Sequence, residues 1–471
     1  MVSAVWRMRI ANDGGDFKKG KFMAAKKLDK SATSRLIKLG GLAGRVGLSM
    51  AGNTLSSLFR SKDQAEAHYG ETLMKNALTV KDAFGQMKGV PMKIGQMLSL
   101  HENLMPREVA RVFQSLQKNA PAAPFEDILQ MVKAELGEKF DLIVSIDEAA
   151  MAAASIGQVH RAVLKDGREI ALKIQYPGID QVIRGDLRNF KGIIKTVFSL
   201  FTRMDIEEMW QEMRDRLMEE LDYLKEAENM RRMKDHYKND DSVIVPEVIP
   251  ELTSRHVLAM EMVMGVFPDD ATGEAYSQEL KNRWGMAIAR LVLTGLFKHR
   301  FLHADPNLSN FAFREDGAIV VYDYGCMKAV TEVLSRKYAL LVKAVMEDDY
   351  PAMPQILKSM GVYKADGEPV TWEMIRDYAD EIQKIIDPEN TYTFGIDSNI
   401  YKRLQVLGQK HLDQFMVMVF PKDIIFIDRT FNGHFGNLNR LRAEADWRAL
   451  VIGHIREAYP DIAIDAMDMD G

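Results

Sequence analysis

Two short stretches in the second half of the sequence combine the residue types that handle divalent cations and phosphate. In the first, Asp305 and Asn310 lie five residues apart in the run HADPNLSN. In the second, Asp323 opens the run DYG directly after the apolar stretch Ile319–Tyr322. These spacings match the Asp-x4-Asn and Asp-x-Gly patterns of phosphoryl-transfer sites, and Mg²⁺ prefers the oxygen atoms that these side chains offer. We predict that Asn310 and Asp323 hold Mg²⁺ and that Asp305 orients the attacking group.

Two further stretches, earlier in the chain, have the pattern of a phosphate-binding hairpin. The run AAASIGQV at 152–159 follows the glycine-rich phosphate loop of kinases, with alanines in place of its first two glycines. The run IALK ends at Lys173 and matches the strand whose lysine pairs with nucleotide phosphates. The residues predicted to line the nucleotide here are Ala152, Ala153, Ala154, Ser155, Gly157, Gln158 and Lys173.

An acidic stretch between these two groups supplies a partner for the lysine. A kinase holds its strand lysine with a glutamate on a helix. Asp222 and Glu226 are four residues apart, which would place both on one face of a helix. Periodicity alone leaves the choice between them open. The order along the chain is loop, lysine, acidic helix, Asp and Asn, then Asp-x-Gly. This is the order of protein kinases, so we predict a kinase-like nucleotide site.

The elements that must position these residues change in kind along the chain. The patterns predict helices over 125–136, 206–237, 280–300 and most of 330–459. They predict strands over 157–164, 169–174, 243–248, 257–263 and 319–322. Asp-Gly turns at 166–167 and 316–317 predict hairpins, and the second would bring Asn310 close to Asp323. Strands early and helices late favour a two-lobed α+β fold. Glu261–Val263 would then lie at the hinge, where Glu261 and Val263 would meet the adenine.

Three departures from the kinase pattern argue against an ordinary protein kinase. Ala304 replaces the arginine that reads a phosphorylated activation loop. No Ala-Pro-Glu segment follows Gly325 to help form a platform for a protein substrate. The alanines of the phosphate loop are stiffer than glycine and leave less room for a close approach to phosphate.

With these departures the sequence resembles the UbiB-type atypical kinases, also called AarF-domain kinases, over about residues 75–440. The most specific shared motifs are KIGQ at 93–96, the alanine-rich loop at 152–160, ELD at 220–222 and KIQYPG at 173–178. The resemblance selects Glu226 as the partner of Lys173. It also implies that Glu220 meets Lys93, and that Lys93 and Gln96 belong to the active site.

The resemblance implies a two-lobed, protein-kinase-like α+β fold. Its N-terminal helical extension, the K-x-G-Q helices, would pack over the active site and obstruct peptide substrates. ATP and Mg²⁺ are the implied cofactors, and the implied activity is an ATPase that supports ubiquinone biosynthesis at a membrane. Anionic lipids, ubiquinone precursors and ubiquinone-biosynthesis enzymes are expected partners, and a homodimer stays open. The expected location is the cytoplasmic side of the inner membrane in a bacterium, or the matrix side in a mitochondrion.

Two other functions stay open at this point. The first is a phosphotransferase that acts on a small-molecule or protein acceptor. The second is a non-catalytic, lipid-binding scaffold that uses ATP as a structural ligand. The intact set of Lys173, Asp305, Asn310 and Asp323 argues against the scaffold, because a site without activity need not keep all four residues.

Charge is distributed unevenly along the 471 residues. Residues 1–60 carry a net charge of +9 and the remainder −14, within an overall −5. The negative charge of the remainder argues against nucleic acid as a partner. The positive charge of residues 1–60 suits binding to an anionic membrane. Residues 34–60 are either an interfacial segment or an ordinary surface helix or mobile arm. Their longest charge-free stretch, Val46–Phe59, has 14 residues and is too short to span a bilayer. Cys326 is the single cysteine, so no intramolecular disulfide forms.

Composition and motif spacing together predict five segments. They are a basic arm over 1–60, the helical K-x-G-Q extension over 61–140, a kinase-like N-lobe over 141–264, a C-lobe over 265–445 and an acidic tail over 446–471.

Overall fold

The computed structural model describes residues 123–154, 156–181, 183–185, 187, 191, 207–387, 391–396, 399–411 and 417–464, and twelve single residues between 41 and 82. All twelve single residues are helical, in agreement with the predicted helical N-terminal region. Lys93, Gln96 and Ser155 of the predicted site lie outside the described residues. Most of the predicted interfacial segment 34–60 lies outside them too.

Strands and helices alternate through the first half of the described chain, and helices dominate the second half. The strands are β1 (Ile143–Ile146), β2 (Ala152–Ala153), β3 (Gly157–Leu164), β4 (Glu169–Gln175), β5 (Val243–Ile244), β6 (Val257–Glu261), β7 (Phe301–His303), β8 (Phe311–Phe313), β9 (Ile319–Val321), β10 (Met327–Ala329), β11 (Tyr363–Lys364), β12 (Tyr392–Thr393), β13 (Met418–Val419) and β14 (Glu444–Ala445). The α-helices are α1 (Phe125–Leu136), α2 (Glu207–Glu219), α3 (Tyr223–Tyr237), α4 (Pro268–Ala271), α5 (Gln278–Leu293), α6 (Glu332–Met346), α7 (Met353–Met360), α8 (Trp372–Gln383), α9 (Ile400–Lys410), α10 (Lys422–Leu441) and α11 (Trp447–Ala458). Short 3₁₀ turns cover Gly137–Leu142, Pro250–Leu252 and Leu308–Asn310, and a π-helix covers Thr294–Lys298.

The described residues form two compact units. Unit 1 ends at Glu228 and resumes over Val248–Met262, whereas unit 2 comprises Asn229–Glu247 and the chain from Val263 onward. The mixed helix-and-sheet content confirms the predicted α+β class. The predicted segment boundaries stay a prediction.

Unit 1 is built on an antiparallel sheet with the strand order β1, β3, β4, β6, and β2 also pairs with β3. Alternate residues of β3 are buried, as expected for a strand with one face on a core. The β3–β4 hairpin turns at Asp166 and Gly167, and Gly167 adopts a φ of +86° that favours glycine. The structure therefore confirms this hairpin, and it places β4 between two neighbouring strands.

Unit 2 combines small sheets with a large helical core. β8 and β9 form an antiparallel hairpin around the Asp316–Gly317 turn, and β5 adds to β9 in parallel. β7 pairs with β10. The core brings together apolar side chains of α5, α6, α10 and α11, among them Val292, Ala339, Ile427 and Ile455. Burial of side chains such as these provides most of the favourable free energy of folding.

The structure corrects the predicted elements in four places. The helix predicted over 206–237 is interrupted at 220–222, and the strand predicted over 243–248 is limited to β5. The helix predicted over 280–300 ends in the π-helix. The prediction of a tail over 446–471 is wrong for 446–464, because α11 packs into the core of unit 2 and Ile462 and Ile464 follow it there.

No helix among the described residues is both long enough and apolar enough to cross a membrane.

Candidate nucleotide site

The strand lysine of the predicted site is buried and paired. Lys173 lies in β4, in register with Val159 of β3 and Leu258 of β6. Its Nζ atom lies 2.6 Å from Oε1 of Glu226, and the two residues are only 9% and 5% exposed. The ring of Tyr223 also contacts the ammonium group, with 5.3 Å between its centroid and Nζ. The expected pairing of Lys173 with Glu226 is therefore present, and its role in catalysis stays a prediction.

Glu226 reaches this position because the chain breaks its helix just before it. Residues 220–222 separate α2 from α3, and Asp222 Oδ1 accepts a hydrogen bond from Leu224 N at 3.1 Å. An aspartate that accepts from the backbone at this point caps the following helix. Glu226 lies in the first turn of α3. The prediction that Asp222 and Glu226 share one face of a continuous helix is therefore wrong.

The alanine-rich loop is a tight hairpin. Ala152 and Ala153 form β2 against β3, and Ala154 N donates a hydrogen bond to Gly157 O at 2.8 Å. A Cβ atom at Gly157 would lie 2.2 Å from the carbonyl oxygen of Ile174, so only glycine fits there. The glycine that this loop keeps is thus required by its packing on β4.

The side chain of Gln158 has a role that the motif does not suggest. It is 1% exposed, and its Oε1 accepts from Ala123 N at 2.9 Å. Its Nε2 lies 2.7 Å from Nε2 of His160, whose Nδ1 lies 2.7 Å from the carbonyl oxygen of Asp147. These contacts assign a neutral His160 with its hydrogen on Nδ1, and burial lowers the pKa of His160 below 6.5. Gln158 therefore holds the chain before α1 against β3.

In unit 2, the Asp305–Asn310 loop is fixed by its own side chains. Asp305 Oδ1 accepts from Asn307 N at 3.1 Å, and Asp305 Oδ2 accepts from Asn310 Nδ2 at 2.8 Å. Asn307 Oδ1 accepts from Ser309 N at 3.2 Å and caps the short 3₁₀ turn. Both carboxylate oxygens of Asp305 are thus held by donors within the loop.

The β8–β9 hairpin brings the Asp-x-Gly run next to this loop. Tyr322 N donates to Asn310 O at 2.9 Å, so Asp323 directly follows a residue paired with Asn310. Asp323 Oδ1 accepts from Gly325 N at 3.0 Å, and its carbonyl oxygen lies 2.8 Å from His303 Nε2. The structure thus brings Asp305, Asn310 and Asp323 together within unit 2.

The side-chain oxygen atoms of this cluster are of the kind that Mg²⁺ binds. Asn310 Nδ2 donates to Asp305, so the side-chain amide oxygen of Asn310 is the atom that would bind Mg²⁺. Asp323 adds a carboxylate. Among the described residues, no group of three or more His, Cys, Asp or Glu side chains is arranged to hold a metal. A small set of protein oxygens suits Mg²⁺, which in nucleotide sites keeps waters and takes further ligands from phosphates.

The predicted adenine contacts belong to two different environments. Glu261 ends β6, in register with Ile170 of β4. In unit 2, the carbonyl oxygen of Val263 accepts a hydrogen bond from the Tyr322 hydroxyl at 2.8 Å. Burial raises the pKa of Tyr322, which keeps this hydroxyl protonated as a donor. Contact of Glu261 and Val263 with adenine stays a prediction.

The predicted contact between Glu220 and Lys93 cannot be described, because Lys93 and Gln96 lie outside the described residues. Glu220 itself lies in the break between α2 and α3, where its carbonyl oxygen is 3.5 Å from Gln175 Nε2. The roles of Lys93, Gln96 and Glu220 stay predictions that rest on the resemblance.

Some residues of the site were missed in the sequence. Tyr223 contacts Lys173 only because the helix break places it at the start of α3, and the capping signal of Asp222 could have revealed that break. His303 contacts the Asp323 carbonyl oxygen. Its place as the first residue of the kinase-like HADPNLSN run could have marked it as part of the site. Asn229 Nδ2 donates to Tyr324 O at 3.0 Å across 95 residues of sequence, and no local signal marks that pair.

Comparison with known sequences gives a consistent result. A family model described as the ABC1 atypical kinase-like domain matches residues 115–357. The mitochondrial atypical kinase COQ8B of Rattus norvegicus is 34% identical over 328 residues, which cover 69% of this chain and 62% of that protein. COQ8B of Danio rerio is 32% identical over 330 residues, which cover 69% of this chain and 53% of that protein. The match therefore spans less than two thirds of either relative.

A solved structure resembles this fold as well. It is the complex of Rv3197 with erythromycin from Mycobacterium tuberculosis, which is 25% identical in sequence. The likeness has a TM-score of 0.57 and covers 85% of this chain and 98% of that chain. The similarity therefore extends over most of both chains.

Proposed function

Because the chain belongs to the ABC1 atypical kinase-like family, we propose that it is an ATP-using atypical kinase that acts in ubiquinone biosynthesis. More narrowly, we propose a Mg²⁺-dependent ATPase at a membrane surface. The family match over residues 115–357 contains both groups of described site residues, from Ala152 to Asp323. The relatives named COQ8B support the broader proposal.

The observation that carries the proposal is the buried pair of Lys173 and Glu226. Taking two charges out of water costs about as much free energy as their attraction returns, so such a pair is weak evidence for stability. A functional reason accounts for it better. A lysine held by a glutamate on a helix is the arrangement with which kinases contact the phosphates of ATP. We assign this contact with the α- and β-phosphates to Lys173.

The cluster in unit 2 would supply the remaining chemistry. Asp323 and Asn310 would hold Mg²⁺, which when bound neutralises charge on the phosphates. Asp305 would orient the attacking oxygen, and the donors on its two carboxylate oxygens fix its direction beforehand. In phosphoryl transfer, such positioning and electrostatic stabilisation supply most of the acceleration.

The alanine-rich loop supports hydrolysis over transfer to a protein. The N–H of Ala154 donates to Gly157 O, so the loop is closed by its own backbone. In a glycine-rich loop, backbone N–H groups approach the phosphates closely. A loop that binds the phosphates less closely, in a chain without the Ala-Pro-Glu segment, suits water as the acceptor better than a peptide.

The basic arm supports a membrane surface. Residues 1–60 carry a net charge of +9, which attracts anionic lipid headgroups. Leu48, one of the described helical residues of this arm, is 77% exposed. An exposed leucine beside basic residues is typical of a segment that lies in the membrane interface. The proposed location is the matrix side in a mitochondrion, or the cytoplasmic side of the inner membrane in a bacterium.

Phosphate release by the purified protein tests the proposal. It should require Mg²⁺, rise with vesicles that contain anionic lipids and fall about 10²–10³-fold in Asp323→Asn. Asp316→Asn is the matched control, because Asp316 lies in the turn of the same hairpin and pairs with Arg314. It should keep wild-type release.

The other outcomes separate the alternatives. A phosphorylated acceptor in place of free phosphate would favour a phosphotransferase. Nucleotide binding without release under any condition would contradict the ATPase and favour the scaffold. Release that vesicles leave unchanged would contradict the membrane part alone.

A further inference from the structure

Helix α10 packs against the start of the Asp305–Asn310 loop. Asn437 Nδ2 donates a hydrogen bond to the carbonyl oxygen of Pro306 at 2.8 Å, and Asn437 is 5% exposed. One turn earlier, a Cβ atom at Gly433 would lie 2.2 Å from Cγ of Pro306. Residues four apart share a helix face, so one face of α10 contacts Pro306 by close packing and by a buried hydrogen bond.

Pro306 directly follows Asp305, so this contact bears on the direction of Asp305. A proline restricts the backbone of the residue before it and has no N–H of its own. The Pro306 carbonyl belongs to the Pro306–Asn307 peptide, whose N–H donates to Asp305 Oδ1. A hydrogen bond to that carbonyl therefore holds the peptide plane that carries this donor. Asn437 supplies that hydrogen bond from a buried side chain.

The same helix also contacts the far end of the loop. His434 is 3% exposed, and its ring packs edge-on against Phe311, which follows Asn310, with 5.9 Å between centroids. Its Nδ1 lies 3.4 Å from Asn437 Nδ2. Burial, with a smaller effect of His303, lowers the pKa of His434 to about 3, so the ring packs in its neutral form. The loop is thus bounded at both ends by side chains of α10.

We propose that Asn437 and Gly433 are positioning residues that hold the Asp305–Asn310 loop, and with it the Asp305 carboxylate, in the geometry for catalysis. This inference rests on the proposed function, in which Asp305 orients the attacking oxygen. An apolar contact would have been sufficient to pack a helix on a loop. A buried amide directed at the carbonyl next to Asp305 instead fixes the orientation of that peptide.

Asn437→Asp tests the inference, because it keeps the size of the side chain and removes the Nδ2 donor. We expect kcat for phosphate release to fall at least about tenfold, while the KM for ATP changes less than about twofold. Amide hydrogen exchange of the peptide over 305–310 should accelerate about tenfold, since about one hydrogen bond is lost. Gly433→Ala displaces Pro306 by a different route and should give the same pattern.

Asn439→Asp is the matched control on the same helix. Asn439 Nδ2 donates to Asn399 Oδ1 at 3.2 Å, away from the loop, so kcat and exchange at 305–310 should stay at wild-type values. Unchanged exchange at 305–310 in both Asn437→Asp and Gly433→Ala would overturn the inference, whatever the activity. Faster exchange throughout unit 2 would also overturn it, because it would indicate a general structural role. Absence of release in the wild type would refute the proposed function alone, since the exchange readout does not depend on turnover.

Discussion

Lys173 Nζ lies 2.6 Å from Glu226 Oε1, although 53 residues separate them in sequence and water reaches neither side chain well. Lys173→Met leaves an uncompensated carboxylate in this environment, which costs about 3–5 kcal/mol in the free energy of unfolding. Phosphate release should fall at least about a thousandfold, because the contact with the phosphates is lost as well.

The double variant Lys173→Met with Glu226→Leu separates the two effects. It removes both charges, so most of the lost stability should return while activity stays lost. Urea denaturation and phosphate release, measured on the same preparations, give the two quantities. Recovery of activity in the double variant would contradict the assigned role of Lys173.

Mg²⁺ dependence distinguishes the two predicted metal ligands. Asp323→Asn removes a carboxylate ligand, so phosphate release should fall about 10²–10³-fold and half-saturation should require more Mg²⁺. Asn310→Asp keeps an oxygen ligand but loses the Nδ2 donor to Asp305, so kcat should fall with a smaller change in Mg²⁺ half-saturation. Release measured across a Mg²⁺ titration gives both values. Full activity in Asp323→Asn would remove this residue from the site.

The alanine-rich loop predicts opposite outcomes for two small substitutions. Ala154→Gly should loosen the loop and change nucleotide preference or autophosphorylation, which nucleotide affinities and product analysis would detect. Gly157→Ala should instead destabilise unit 1, because its Cβ atom would clash with the backbone carbonyl of Ile174. We expect a loss of about 3 kcal/mol in the free energy of unfolding. If Ala154→Gly leaves affinity and products unchanged, the interpretation of the loop is wrong.

The buried His160 makes the stability of unit 1 depend on pH. Its folded-state pKa is lowered below 6.5, so the unfolded chain binds the proton more readily. The stability that neutral His160 contributes is complete above pH 6.5 and is lost as the pH falls below that value. Over that range the slope from one proton is at most about 1.4 kcal/mol per pH unit.

The variant His160→Gln checks this dependence. Urea denaturation from pH 7.5 to 5 gives the free energy of unfolding of wild type and variant at each pH. The slopes of this free energy against pH should differ by an amount that corresponds to up to about one bound proton. The variant is less stable than wild type at pH 7.5, and the difference narrows toward pH 5. Parallel pH profiles would show that His160 is not the titrating group.

Local signals predicted the elements that local physics determines. The β3–β4 hairpin follows from alternating burial and an Asp-Gly turn, and α1 was predicted with the bounds that the structure gives, Phe125–Leu136. The pairing of Asn310 with Tyr322 follows from the second Asp-Gly turn in the same way. Each of these signals lies within about ten residues of its effect.

The errors arise where distant contacts or a side chain decide. The break at 220–222 depends on Asp222, whose carboxylate competes for backbone hydrogen bonds and ends one helix by starting another. β5 is short because Val243 and Ile244 pair with Ile319 and Val320, far along the chain, whereas Val248 pairs with Met260 instead. The choice of Glu226 over Asp222 required the resemblance, since spacing alone treats the two acids alike.

The contact between Gly433 and Pro306 has a consequence for how this sequence can change over generations. A Cβ atom at Gly433 would overlap the proline ring, so drift to alanine there is blocked while Pro306 stays. In a relative that has lost the proline, position 433 is released from this restriction. We therefore expect positions 306 and 433 to vary together among related sequences, although they lie far apart in the sequence.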